Sequence, residues 1–140
     1  MNKIPGKLIF IAIFLLAALA WPQDRSEEIK ILKDGERFSV NDDIYGKWEF
    51  TQKPQIGMVI LKVQLFDKND KKISPLSIMG SYGMPSMPGH HDSGDLPLKL
   101  NKSQNYLLPI NVVMPGDWEV KLIFSQGEKV LLRAAIRFDV

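Results

Sequence analysis

"NYLLPINVVMPGDWEVKLIF", Asn105 to Phe124, decides the fold class. Tyr106, Leu108, Ile110 and Val112 fall on one side of a period-two alternation, and Trp118, Val120, Leu122 and Phe124 fall on one side of the next. That period belongs to a strand with one face in a core and one in water. Between the two runs stands "MPGD", Met114 to Asp117, with Pro ahead of Gly as a type II turn wants.

The pattern continues on both sides. Val130, Leu132, Ala134, Ile136 and Phe138 share a face opposite Arg133, Arg137 and Asp139, after a turn at "SQGE". Upstream, "MVILKVQLF" sets Val59, Leu61, Val63 and Leu65 against Lys62 and Gln64, and "DKNDKK" then supplies a polar reversal. With Tyr45–Phe50, Ser77–Tyr82 and Leu96–Leu100, about seven strands are predicted and no helix after residue 20. Short strands at this spacing predict an all-β protein, an antiparallel immunoglobulin-like β-sandwich. A chain of 140 residues holds one such domain, placed at 45–140. Residues 21–44 are charged and weakly patterned, which predicts an exposed lead-in with a short strand near Glu28–Leu32. Tyr106 is expected to bond back to the upstream chain as a corner lock, and Trp118 to lie in the core.

Residues 1–20, "MNKIPGKLIFIAIFLLAALA", carry Lys3 and Lys7, an apolar run from Leu8 to Ala20, and an A-x-A ending before Trp21. These are the parts of a secretory signal peptide, and the run is shorter than the ~20 residues that span a bilayer. The expected location is outside the cytoplasm, periplasmic or extracytoplasmic. An uncleaved leader would anchor the protein in the inner membrane, the one way a membrane enters this reading.

Eighteen Lys and Arg face sixteen Asp and Glu, and the surplus is Lys3 and Lys7. Beyond the leader the charges balance, so nothing in the composition attracts nucleic acid. There is no Cys, which excludes a disulfide scaffold, thiolate metal sites and thiol catalysis. Both histidines sit in one loop, and no nucleophile–base pairing or phosphate-cradling glycine motif appears, so catalysis is not expected.

That loop is "GMPSMPGHHDSGD", Gly83 to Asp95. Met84, Met87 and His90 recur every third residue with Pro85 and Pro88 between them. Proline favours polyproline II, which has three residues per turn, so the three side chains would emerge along one edge, neighbours ~9 Å apart. One ion could then be shared only if the chain bends, and Gly89 is the place for it. Thioethers select Cu(I), and imidazole accepts copper in either oxidation state, so the set suits copper. Met84, Met87, His90 and His91 are the candidate ligands, with Asp92 and Asp95 placed to orient an imidazole. Met79 and Met114 are further thioethers that serve equally well as core. The competing reading is a stiff, adaptable Met/Pro loop that packs or docks and binds no metal.

"GSYGMPSMPGHH" followed by "NYLLPINVVMPGDWEVKLIF" resembles the YtkA-like family, related to FixH-type proteins, over roughly Tyr45 to Val140. Tyr106, Met114, Gly116, Trp118 and Val120 carry the more specific part, while Asn105 stands where the family usually has Gly. The resemblance implies an exported or membrane-anchored immunoglobulin-like sandwich linked to copper handling or cytochrome oxidase assembly. Its Met/His stretch maps onto Met84, Met87 and His90. The expected function is a copper-binding module that buffers copper or delivers it to a protein acceptor. The alternatives are a non-metal protein-interaction domain or a membrane-anchored accessory factor for oxidase assembly.

Overall fold

Val59, Leu61, Val63 and Leu65 are withdrawn from water, and so are Trp118, Val120, Leu122 and Phe124. Each set is the predicted apolar side of its strand, and the two sets face each other across a sandwich. The structure is a computed structural model and describes residues 28–140. The expected leader, residues 1–20, lies outside the described residues. Among those described, no helix is long and apolar enough to cross a membrane.

The strands in chain order are β1 (Ile29–Ile31), β2 (Phe38–Ser39), β3 (Tyr45–Phe50), β4 (Gly57–Phe66), β5 (Lys72–Ile73) and β6 (Ser77–Gly83). Then come β7 (Leu96–Pro97), β8 (Lys99–Leu100), β9 (Tyr106–Val112), β10 (Asp117–Gln126) and β11 (Lys129–Asp139). One sheet runs β1-β11-β10-β6-β7 and the other β2-β3-β4-β9-β8, with β5 beside β4. Every pairing is antiparallel except β1 with β11, which is parallel. The protein is therefore all-β, two mostly antiparallel sheets packed face to face.

Four expectations change. The strand foreseen at Leu96–Leu100 is two strands in different sheets, β7 on β6 and β8 on β9. The switch falls at Leu98, whose buried side chain and bond from its N–H to Ile78 O (2.9 Å) turn the chain across the edge of the sandwich. The lead-in is not exposed throughout. Leu32, Phe38, Val40 and Ile44 are buried, and Phe38 fills the space that Gly46 leaves and meets the Phe124 ring at 5.6 Å. Scattered apolar residues without period two hid this edge of the core. Val130 is more than a third exposed, because the β10–β11 register shifts at Phe124/Ser125 and frees the hairpin tip.

Fourth, Tyr106 does bond upstream, but the reach is across the sandwich. Its hydroxyl donates to Leu76 O at 2.8 Å and lies 3.3 Å from Leu76 N. Leu76 leads into β6, so the bond ties one sheet to the other. Burial, opposed by the hydrogen bond to Leu76, pushes the Tyr106 phenol above its ordinary value.

Candidate metal centre

The 84–95 loop leaves β6 at one end of the sandwich, where β9 ends, β10 begins and β11 ends. Its local conformation is a pair of turns, where extended polyproline was expected. Met87 N donates to Met84 O and His90 N donates to Met87 O, both at 3.0 Å. Each turn has proline at its second position, where φ near −65° is already correct. Gly89 follows Pro88 with φ +79°, the value a type II turn requires at its third position. A three-residue period fits tandem turns as well as polyproline II, and the hydrogen bonds select the turns. The ends of each turn lie under ~7 Å apart, closer than the ~9 Å of an extended segment.

The candidate ligands divide by environment. Met84 is 4% exposed and belongs to the core, and Met87 is half-buried and packs against that core. His90 and His91 are exposed, their ring centroids 6.5 Å apart. His91 has φ +62°, a left-handed conformation that histidine tolerates better than most residues. Thus two sulfurs point toward protein while two imidazoles stand in solvent.

Two carboxylates hold the loop in place. Asp117, at the start of β10, accepts bonds from Ser86 N (3.2 Å) and from Ser86 Oγ. The Ser86 hydroxyl bond is the main cause that lowers the Asp117 carboxyl below its ordinary value, against a smaller opposing desolvation. Asp92 Oδ2 accepts Gly89 N–H at 3.1 Å, and its other oxygen lies over Gly83, where a side chain would collide with it. Asp92, expected to orient an imidazole, holds the loop backbone through the Gly89 bond. Neither Ser86 nor Asp117 was legible as part of the site, because no periodic signal links residues so distant in the chain.

The β9–β10 connection completes this end. Met114 is partly buried against the core, and its carbonyl accepts Trp118 Nε1–H at 3.1 Å. The expected type II turn does not form there. Gly116 has φ +137° and exchanges backbone bonds with Val140 at 2.9 and 3.0 Å, so it belongs to the edge of the β10–β11 ladder. Met84 Cε packs over Gly116, and a Cβ there would come within 2.8 Å of it. Met79 is placed differently, on the outer face of its sheet opposite Ile123 and Pro97.

An open cleft of about 470 Å³ runs beside the loop. Of the four expected ligands only Met84 lines it, together with Pro85, Pro88, Gly89, Asp92 and Asp95; Glu119 and Lys121 are on the β10 side. Glu119 is occupied by Arg137 Nε at 2.7 Å and by Lys121 Nζ at 4.0 Å. Among the described residues no three His, Cys, Asp or Glu side chains converge as a metal site. Comparison with protein-family models returned no match, and no curated protein is significantly similar to the chain.

Proposed function

We propose that this protein is an exported copper-binding module that buffers copper or hands it to a protein acceptor, with Met84, Met87, His90 and His91 as the ligand-bearing loop. The observation that carries the reading is the pair of turns: it sets the backbones of Met84, Met87 and His90 closer together than an extended segment would. Soft thioethers at a half-dry rim beside exposed imidazoles suit a cargo ion that must be both held and released. The resemblance to the YtkA-like and FixH-type proteins points the same way. An immunoglobulin-like assignment of the sandwich is supported by a β3-β4-β9-β8 order opposite β11-β10-β6-β7, with β1 parallel to the last strand. No catalytic role is assigned.

The test is a Cu(I) competition titration against a chromophoric chelator, comparing the protein with Met84→Leu/Met87→Leu. Leucine keeps the buried volume, at a cost below ~1.5 kcal/mol, and removes the sulfur. One-to-one binding lost in a folded double variant is the expected result; retained affinity would remove the ligand assignment.

A second reading is favoured by the cleft. Its wall is Pro85, Pro88 and Gly89, a stiff edge that loses little entropy when a protein partner docks. On this reading the same leucine variant binds that partner unchanged and copper is irrelevant.

A further inference from the structure

We infer that Met114 is the third sulfur of the copper site, so that the cargo is Cu(I) held by Met84, Met87 and Met114 while His90 and His91 serve its entry and exit. This rests on the copper reading above and names which residues beyond the loop take part. Five methionines lie among the described residues, and they are sorted by the fold. Met58 is more than half exposed on β4, and Met79 is on the outer face of the other sheet, against Pro97 and Ile123. Met84, Met87 and Met114 are the three that pack on the core, and all are at the same end of the sandwich.

Two contacts join the loops that carry Met84 and Met87 on one side and Met114 on the other. Met84 lies over Gly116, two residues from Met114, and Ser86 is bonded to Asp117, three residues from it. Trp118 Nε1 fixes the Met114 carbonyl, which sets the position from which its side chain leaves the backbone. The segment is also stiff, since Gly116 is paired with Val140 on both its N–H and its C=O. Sequence spacing ranked Met79 and Met114 alike; the parity of β6 and the Gly116 contact separate them.

The chemistry follows from the donor type. Three neutral thioethers bind a soft monovalent ion and give nothing that Zn(II) or Cu(II) prefers. The solvent-side histidines are the groups able to receive Cu(I) and pass it inward with no change of oxidation state. The prediction is therefore Cu(I) selectivity at the inner set, with histidine dependence in the rate of exchange more than in the affinity.

The experiment is an anaerobic Cu(I) titration of the protein, of Met114→Leu and of Met79→Leu, with X-ray absorption on the Cu(I)-loaded native protein to count sulfur neighbours. Loss of a metal's outer partner costs about 10–100-fold in affinity, so loss of a direct ligand should weaken Met114→Leu by at least that much. Met79→Leu should bind as the native protein does, and the sulfur count should be three. Undiminished binding by Met114→Leu, or two sulfurs in the native protein, would overturn the inference and leave the loop reading standing. A native protein that binds no Cu(I) would overturn both. The sulfur count is read on the unaltered protein, so it decides the matter even where Met114→Leu folds poorly.

Discussion

Met-Pro-Gly occurs twice in this chain, at 87–89 and at 114–116, and is built in two ways. At the first, His90 N closes a turn on Met87 O, Gly89 has φ +79° and open space surrounds it. At the second, Gly116 is drawn out to φ +137°, pairs with Val140 and carries the Met84 methyl on its surface. Pro-Gly permits either form, because proline fixes only φ and glycine accepts nearly any backbone angle. The choice falls to the partners. Where the backbone can close on itself locally it turns; where a strand end offers a donor and an acceptor, the chain extends to meet them.

The contrast is most easily broken at the glycines. Gly116→Ala must bear a backbone angle unsuited to alanine, a strain of about 1–3 kcal/mol, and must also push aside the Met84 methyl, which as the end of a flexible side chain gives way at smaller further cost. A loss of about 3 kcal/mol in urea denaturation is expected. Gly89→Ala meets only the left-handed penalty, about 1 kcal/mol. Equal losses at the two sites would mean that the contact with Met84 and the pairing with Val140 count for nothing.

A smaller effect separates the two halves of the loop. Met84→Ala opens a cavity in the core and should cost about 2 kcal/mol, near the bottom of the core range because the cleft beside it lets the site relax. Met87→Ala, half-buried, should cost roughly half as much. His90→Ala should stay within about 0.5 kcal/mol, since its ring is exposed, and His91→Ala should cost somewhat more, since alanine suits the left-handed φ of +62° less well than histidine does. Thermal or urea unfolding of the four variants gives this ranking. A histidine variant as costly as Met84→Ala would show that the outer half of the loop is structural.

The smallest effect is in pH. The Asp117 carboxyl has a folded value below its unfolded one, chiefly through the Ser86 bond, so the native state binds its proton less readily. Its contribution is complete above the unfolded value, near ~3.9, and is lost as pH falls through the lower folded value. Asp117→Asn should lose that contribution at neutral pH, a small destabilisation, and flatten the acid limb of the stability profile so that the two proteins converge below the window. An acid limb of native steepness in the variant would place the titration elsewhere.

Much of the fold was written in the alternation of β4, β9 and β10, because a strand with one wet face must repeat every second residue. The core positions Val59 to Leu65 and Trp118 to Phe124 follow from that rule alone. Phe38 and Val40, in a stretch with no sustained alternation, are buried by an edge; the strand around Leu98 changes sheet, and Val130 keeps the alternation yet is exposed where a bulge frees the hairpin tip. At the candidate site the sequence supplied the residue types and the three-residue period, and with them the preference for a soft metal. It could not supply the conformation, since proline's φ serves a turn and an extended helix alike. Nor could it bring Ser86 to Asp117 or Met84 to Gly116, contacts made by strands that neighbour only once both sheets have formed. Chemistry here is a property of side chains and is local; proximity is a property of the packed chain, and tertiary structure alone decided it.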